Sequence, residues 1–252
     1  MDLAGRTAIV TGASNGIGRS TALALADAGA RLAIGARRRD RLEAVLGELP
    51  GDAHVALPLD VTSPDSCAAF VDGATAALGS VDILVNNAGL ALGRAPVVES
   101  EEDDDRTMLE TNVLGLMRMT KLVYPHMQPG RGHIVNLGSW AGREAYRFGS
   151  GYVVSKWGVR VLTEMLRKEL VGEIHVTTVD PGMVGDTEFS DVRFKGDVDK
   201  KQAVYKGVRY VTPDDVADCI LFAVTRPPHV NIDEIVLKPL QQGSQELIVR
   251  DE

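Results

Sequence analysis

The sequence predicts one α/β domain, built on a doubly wound, mostly parallel seven-stranded sheet with helices on both faces. Strand-like and helix-like segments alternate from end to end, which favours βαβ units. A glycine-rich turn joins the first strand to the first helix. No linker, repeat or low-complexity tract interrupts the 252 residues, so we interpret residues 1–252 as a single domain.

Each predicted strand is a short run rich in β-branched residues, and the predicted helices are longer runs. Ser63 before Pro64 and Thr212 before Pro213 are typical helix starts, because the hydroxyl caps the first turn and Pro needs no partner there. The strands are predicted at residues 6–11, 31–36, 53–57, 81–86, 133–137, 174–179 and 231–237. The helices are predicted at 16–28, 40–49, 101–127 and 151–171, with two more starting at Ser63 and Thr212.

Residues from about 183 to 209 do not fit this alternation. They are charged, rich in Asp, Lys and Gly, and weakly periodic. A long irregular stretch in a compact domain is usually functional or mobile. We therefore predict that this segment is a substrate lid.

Composition narrows the function classes. A net charge of −8 argues against a nucleic-acid partner, which needs a basic face. Cys67 and Cys219 lie far apart, as in a chain from a reducing compartment. No secretory leader and no apolar run of about 18 residues is visible, so we expect no membrane span and a cytoplasmic location. The five histidines are scattered without metal-ligand spacing, so no metal site is predicted.

The turn after the first strand, residues 11–18, predicts a dinucleotide site. Gly12 allows a tight turn, Gly16 lets the backbone approach a pyrophosphate, and Gly18 lets helix and strand pack closely. Phosphates would then face the unpaired N–H groups at the start of the first helix.

The end of the second strand predicts which dinucleotide is bound. Domains that prefer NAD place an acidic residue near this point, where it takes the ribose 2′-hydroxyl. Here Ala36 is followed by Arg37 and Arg38, and guanidinium groups suit a phosphate dianion. We predict NADP, held first by Arg37 and second by Arg38, with a contact from the Ser14 hydroxyl. The alternative is a solvated basic run at a helix start, which we assign to Arg39 and Arg41.

Further motifs follow in order along nearly the whole chain: Asp60-Val61, Asn86-Asn87-Ala88-Gly89, Asn112, Ser139, the Tyr152-x-x-x-Lys156 pair and Pro181-Gly182. Together with the glycine spacing led by Thr11, they resemble the short-chain dehydrogenase/reductase family, which implies a Rossmann-type fold. Residues 86–93, 185–196 and 229–232 are similar to one branch, the NADP-dependent 3-hydroxy acid dehydrogenases of serine and allo-threonine. Aldehyde reductases such as clavulanaldehyde reductase are similar too.

Tyr152 and Lys156 are four residues apart on a predicted helix, so they share one face. A nearby ammonium would lower the tyrosine pKa and suit it to act as general acid in reduction and general base in oxidation. The resemblance adds that Lys156 binds the nicotinamide ribose and that Ser139 stabilises developing charge at the carbonyl oxygen. It also implies that Asn112 holds a water in a proton relay. Tyr146 lacks a lysine four residues later and is given no role.

The resemblance implies NADP as cofactor and an extended binding site for it. That site comprises Gly12, Ser14, Asn15, Gly16, Ile17, Gly18, Arg37, Arg38, Asp60, Val61, Asn87, Ala88, Gly89, Tyr152, Lys156, Pro181, Gly182, Val184 and Thr187. One position departs from the family pattern. Asp186 stands where many relatives have a threonine that contacts the carboxamide, and we expect Thr187 to take that role.

The sequence thus predicts an oxidoreductase that moves a hydride between NADP(H) and a small 3-hydroxy acid or its carbonyl. An NADPH-dependent reductase of a bulkier aldehyde or ketone in secondary metabolism is the alternative. A nucleotide-binding regulator without chemistry would have lost part of the Asn-Ser-Tyr-Lys set, which is complete here. Four cations compete to bind a substrate carboxylate and remain unranked: Arg143, Arg147, Arg193 and Lys195.

By resemblance the protein is expected to be a homo-oligomer, a tetramer, with the helices at 101–127 and 151–171 in an interface. Apolar residues on the second of these helices suit that interface and suit packing on the sheet equally well. They are Val153, Val161, Leu162 and Met165.

Overall fold

A parallel sheet runs through the centre of the molecule. The structure is a computed structural model and describes residues 2–251. Over that range seven strands pair in the order β3-β2-β1-β4-β5-β6-β7, and every neighbouring pair is parallel. The strands are β1 (Thr7–Thr11), β2 (Arg31–Ala36), β3 (Val55–Pro58), β4 (Ile83–Asn86), β5 (His133–Leu137), β6 (His175–Pro181) and β7 (Glu234–Leu237).

Helices cover both faces of this sheet, as predicted. One apolar layer packs around Leu25, Leu42 and Ile220, and the other packs around Phe70, Met119 and Ile134. The helices are α1 (Gly16–Asp27), α2 (Arg39–Glu48), α3 (Pro64–Leu78), α4 (Glu102–Leu109), α5 (Gly115–Val123), α6 (Ser150–Glu169), α7 (Phe189–Arg193), α8 (Val198–Tyr205) and α9 (Pro213–Val224). The doubly wound Rossmann-type fold is therefore confirmed.

Both predicted helix starts are capped. The Ser63 hydroxyl accepts a hydrogen bond from the Ser66 backbone N–H, and Thr212 forms a reciprocal capping box with Asp215. The hydroxyl and carboxylate thus satisfy N–H groups that have no partner within the helix.

The strand order places the site. It changes direction at β1, whose neighbours are β2 on one side and β4 on the other. Ligands of such sheets bind in the crevice outside the carboxyl ends of the strands at this switch point. The loops that follow β1, β4, β5 and β6 all open there.

The long helix predicted at 101–127 is interrupted. Helix α4 runs into a π-helical turn at Glu110–Leu114, and α5 follows it and ends at Val123. Pro125 then lies in a single 3-10 turn, because proline has no N–H to continue an α-helix. The π-helical turn contains Asn112, whose side chain pairs with the backbone of Leu90 on the facing loop.

The segment from 183 to 209 is more regular than predicted, because it contains the short helices α7 and α8. Its base is held by a parallel bridge between Val184 and Val211. The Tyr205 hydroxyl, which donates to the Val184 carbonyl at 3.0 Å, ties α8 to that base. Its action as a lid stays a prediction.

Residues 2–251 include no helix with both the length and the apolar character needed to cross a bilayer. In the same range Cys67 and Cys219 are free thiols.

His133 is a titratable group inside the sheet. It is 4% exposed, its Nε2 lies 2.7 Å from the Thr177 hydroxyl, and its ring centroid lies 5.4 Å from that of His175. Burial, assisted by the charges of His175 and Arg6, lowers the pKa of His133 to about 3. The folded protein therefore keeps this imidazole neutral.

This lowered pKa predicts acid sensitivity. Below pH about 6.5 the unfolded chain binds a proton at His133, whereas the folded chain does not bind one there until the pH approaches 3. The unfolding free energy is therefore retained above pH about 6.5 and falls as the pH drops toward 3. Between pH 7 and pH 5, His133→Gln should lose about 2 kcal/mol less unfolding free energy than the unsubstituted protein. Urea denaturation at both pH values measures this, and parallel losses in the two proteins would contradict it.

Candidate active site

A cavity of about 1380 Å³ lies at the carboxyl edge of the sheet. It extends from Arg37 and Asp60 at one end to Ser139 and Tyr152 at the other, with the 183–209 segment forming part of its wall. Every predicted cofactor residue lines it, and so do three of the four predicted catalytic residues. Asn112 does not line it and lies behind the wall at the catalytic end.

The glycine turn lets the backbone come close to the cavity. Gly12 and Gly16 have φ values of +67° and +48°, in the left-handed region that favours glycine. A Cβ on Gly18 would lie 2.4 Å from both the Asn87 Nδ2 and the Gly12 carbonyl oxygen. Asn87 Nδ2 donates to the Thr11 carbonyl at 2.8 Å, which holds the turn against the end of β4. The open N-terminus of α1 consequently faces the cavity.

Two arginines, Arg37 and Arg38, line the far end of the cavity, and Arg41 lies outside its wall. Arg37 is exposed, lines the cavity and makes no hydrogen bond or ion pair within residues 2–251. Arg38 donates to the Ser14 hydroxyl at 3.3 Å and pairs with Glu188 at 2.7 Å. Arg41 also pairs with Glu188, but its side chain is 47% exposed and does not line the cavity, in keeping with its assignment to a solvated run.

Asp60 closes this end of the cavity. Burial works against ionisation of its carboxyl, but two hydrogen bonds from Thr62 and the charge of Arg37 hold its pKa below the usual value. The carboxylate is therefore charged at neutral pH and positioned by the chain that follows β3.

The predicted catalytic trio meets at the other end. Tyr152 and Lys156 lie one turn apart on α6 and are 8% and 7% exposed. Lys156 Nζ donates to the Leu137 carbonyl at 2.9 Å and lies 6.0 Å from the centroid of the Tyr152 ring. The Ser139 hydroxyl, which follows the end of β5, accepts a hydrogen bond from the Ala141 N–H at 3.1 Å and lines the same end of the cavity as Tyr152.

The expected lowering of the Tyr152 pKa by Lys156 is not found. Burial raises the pKa of Tyr152 to about 12, although Ser139 and Arg193 act in the opposite direction. Burial also lowers the pKa of Lys156 to about 8, with Asp180 opposing it. The phenol is therefore protonated at neutral pH, which is the form that donates a proton.

Asn112 supports this trio from behind. Its Oδ1 accepts from the Leu90 N–H, and its Nδ2 donates to the Leu90 carbonyl and the Ser155 hydroxyl, all at 2.9 Å. Ser155 in turn donates to the Tyr152 carbonyl at 2.8 Å. The side chain thus links the loop after β4 to the helix of the tyrosine. Its role in holding a water stays a prediction.

Three of the four cations proposed for a substrate carboxylate differ sharply in environment. Arg143 is already paired with Asp180 and Glu234, both at 2.6 Å, which speaks against that role. Lys195 is paired with Asp104 at 2.9 Å at the cavity mouth. Arg147 lines the cavity but leaves 80% of its side chain exposed.

Arg193 is the cation that faces the predicted reacting atoms. From α7 it places its guanidinium carbon 5.5 Å from the centroid of the Tyr152 ring and 5.7 Å from that of Tyr146. Its Nη2 donates to the Tyr146 hydroxyl at 2.9 Å. Nothing in the sequence indicated this role for Tyr146, because the contact joins residues 47 positions apart.

The chain after β6 crosses the glycine turn. Asp186 has a φ of +51°, and its carboxylate accepts from the Tyr210 hydroxyl at 2.9 Å. This turn directs Thr187 to Gly16, where its Cγ2 lies 3.1 Å from the position of a Cβ. Thr187 thus lies beside the predicted pyrophosphate site.

The described part of the chain holds no cluster of three or more His, Cys, Asp or Glu side chains that could bind a metal ion.

Known proteins resemble this chain over almost its full length. Residues 6–197 match the family model of the short chain dehydrogenases. An NADP-dependent 3-hydroxy acid dehydrogenase of Schizosaccharomyces pombe is 42% identical over 98% of this chain and 98% of that protein. A serine 3-dehydrogenase of Agrobacterium fabrum is 38% identical over 94% and 95%. The closed form of a serine dehydrogenase complexed with NADP+ has a TM-score of 0.91 at 38% identity, covering 98% of this chain and 100% of that one.

Proposed function

The chain belongs to the short-chain dehydrogenase family, and we propose that it is an NADP-dependent enzyme that transfers a hydride between the cofactor and a small 3-hydroxy acid or the corresponding carbonyl. The observation that carries this proposal is the position of Arg193, a cation held over the ring of Tyr152. The similar proteins named as 3-hydroxy acid and serine dehydrogenases support the same substrate class.

The cavity fits a dinucleotide. A Cβ on Gly12 would lie 2.9 Å from the Ala88 Cα, so the turn that faces the cavity is shaped by glycine. Phosphates would be held by the N–H groups at the start of α1, and the adenine would lie near Asp60 and Val61. When bound, NADP(H) accepts or supplies the hydride.

Charge favours the phosphorylated dinucleotide. Arg37 faces the cavity as an arginine without an ion-pair partner among residues 2–251, and the Arg38 guanidinium contacts the Ser14 hydroxyl. The neighbouring Ala36 supplies no carboxylate to take a ribose hydroxyl. A 2′-phosphate dianion would receive charge-assisted hydrogen bonds from both guanidinium groups.

The side chains of α6 and the loop after β5 supply the proton chemistry. In reduction the protonated Tyr152 phenol donates its proton to the carbonyl oxygen, and the Ser139 hydroxyl stabilises the developing charge. Lys156 orients the ribose and keeps a positive charge beside the phenol. In oxidation the same phenol, once deprotonated, accepts the proton of the alcohol.

Arg193 would bind the substrate carboxylate. Its Nη2 and Nε are engaged with Tyr146 and the Gly93 carbonyl, which fixes the guanidinium and leaves Nη1 for a ligand. A carboxylate bound there would bring the 3-hydroxyl of a short acid toward Tyr152, whose ring centroid lies 5.5 Å from the guanidinium carbon. A cation preorganised in this way selects acids over uncharged alcohols.

We expect turnover of L-serine, L-allo-threonine or 3-hydroxyisobutyrate with NADP+, and much less with NAD+. The physical reason is the pair of guanidinium groups at the 2′-phosphate position. Steady-state nicotinamide absorbance with each acid and each cofactor measures this.

Two variants control the assay. Arg37→Ala should remove most of the preference for NADP+, while Tyr152→Phe should abolish turnover and still bind the cofactor. Turnover of uncharged aldehydes or ketones alone, with none of the three acids oxidised, would overturn the substrate class and support the alternative reductase of bulkier carbonyls.

Arg193→Ala should raise the KM for a 3-hydroxy acid by about 10- to 100-fold, because a charge-assisted hydrogen bond is lost. Its kcat/KM on an uncharged alcohol should change by less than about threefold. The matched control is Arg147→Ala, which removes an exposed arginine from the same cavity wall. Equal losses on acid and alcohol would assign Arg193 to support of Tyr152 instead.

We also propose that the protein is a homotetramer. The face of α6 that carries Val154, Trp157, Val161 and Met165 is apolar and 38–59% exposed, as expected of a surface that pairs with another chain. Val153 is buried and Leu162 is half-buried, so they belong to the interior. A cytoplasmic location stays a prediction from the sequence.

Light scattering should give a mass about four times the 27.0 kDa of one chain. Val161→Glu should produce smaller species, because it buries a charge in the interface. Val98→Glu, at a 92% exposed site away from α6, should not. A monomer before substitution would contradict the proposal.

A further inference from the structure

Glu188 joins the segment after β6 to the opposite side of the cavity. Its carboxylate accepts hydrogen bonds from Asn15 in the glycine turn and from Arg41 on α2. It also pairs with Arg38, which immediately precedes α2, at 2.7 Å. One side chain at the start of α7 therefore binds two other elements of the fold.

These contacts lie across the cavity. Asn15, Arg38 and Glu188 all line it, and Thr187 rests against Gly16 beside them. The adenosine end, near Arg37, and the catalytic end, near Tyr152, lie in the same cavity. Residues 187 and 188 line this cavity between the two ends, so a dinucleotide that occupies both would lie against them.

We propose that Glu188 is a latch: its ion pairs with Arg38 and Arg41 close the 183–209 segment over the bound dinucleotide, and their opening sets the rate of cofactor release. This inference rests on the proposed dinucleotide site. It goes beyond that site because Glu188 acts on exchange of the cofactor and takes no part in the chemistry.

Charge balance favours a latch that stays closed over a phosphorylated cofactor. Arg37, Arg38 and Arg41 bring three positive charges to this end, whereas Glu188 and Asp60 supply two negative charges. The positive charge that remains favours binding of a 2′-phosphate dianion. Arg38 can bind Glu188 and a phosphate at the same time, because its two terminal nitrogens point to different groups. Nη1 contacts Glu188, and Nη2 contacts the Ser14 hydroxyl.

The strength of the contacts suits repeated opening. The side chains of Glu188, Arg38 and Arg41 are 31%, 42% and 47% exposed. Ion pairs at such exposure are individually weak. The positive neighbours nevertheless hold the pKa of Glu188 below its usual value against the effect of burial, so the carboxylate stays charged at neutral pH.

The latch moves with α7 as one unit. The Ser190 hydroxyl on α7 lies 2.8 Å from the Tyr205 hydroxyl on α8, and Lys201 pairs with Asp191 at 2.7 Å. Release of Glu188 would therefore displace both short helices. Because α7 also carries Arg193, opening would withdraw that guanidinium from Tyr152 as well.

The test is the dissociation rate of NADPH, followed by stopped-flow fluorescence of the bound cofactor. Glu188→Gln should release NADPH about three- to tenfold faster, and Arg41→Gln should do the same although Arg41 lies outside the cavity wall. The double variant should release NADPH no faster than the faster single variant, because both substitutions break the same ion pair between Glu188 and Arg41.

The matched control is Glu43→Gln. It removes the same charge from α2 by breaking the exposed pair of Glu43 with Arg39, which does not touch the 183–209 segment. Its NADPH release should match that of the unsubstituted protein. A second readout needs no cofactor: amide hydrogen exchange at residues 187–193 should be faster in Glu188→Gln than in Glu43→Gln.

Slower release of NADPH from Glu188→Gln would overturn the proposal. If Glu188 merely competes with the 2′-phosphate for Arg38, Glu188→Gln removes a repelling charge and NADPH dissociates more slowly. Unchanged release together with unchanged hydrogen exchange would also contradict the latch. Failure of the unsubstituted protein to bind NADPH would overturn the proposed function and the latch together, and is recognised before any variant is compared.

Discussion

The close approach of α1 to the end of β4 is the constraint on which the site depends. A Cβ at Gly12 would collide with the Ala88 backbone after β4, and a Cβ at Gly18 would collide with the Gly12 carbonyl and with Asn87. Because neither glycine has a Cβ, the N-terminus of α1 reaches the crevice, and the loops after β4, β5 and β6 can surround it. The hydrogen bonds of Asn87 to the Thr11 and Gly12 carbonyls hold this geometry.

Burial sets the chemistry at the catalytic end. Tyr152 and Lys156 are almost excluded from water, so the charged form of each is disfavoured: the pKa of Tyr152 rises to about 12 and that of Lys156 falls to about 8. The cost of burying these groups is offset by local hydrogen bonds, including that from Lys156 to Leu137. The π-helical turn at Asn112 belongs to the same arrangement, since it lets one amide join the loop after β4 to α6.

The segment after β6 carries, on one element, the residues that we propose for substrate recognition and for cofactor retention. Glu188 at the start of α7 faces the arginines of the adenosine end, whereas Arg193 at the end of α7 faces Tyr152. When Glu188 pairs with these arginines, Arg193 on the same helix is therefore also held over Tyr152. Such coupling suits an enzyme that has to exclude water from a hydride transfer and then release its cofactor.

The sequence by itself determined the fold class, the order of the elements and the residues that line the cavity, because β-period and helix-period patterns and glycine spacing are local properties. It also determined the chemical set of Ser139, Tyr152 and Lys156. Tertiary structure decided which arginine faces Tyr152, that Arg143 is already paired, and that Arg41 reaches Glu188. It also decided that burial dominates the Tyr152 pKa, because these outcomes depend on distances between residues far apart in the chain and on the water excluded between them.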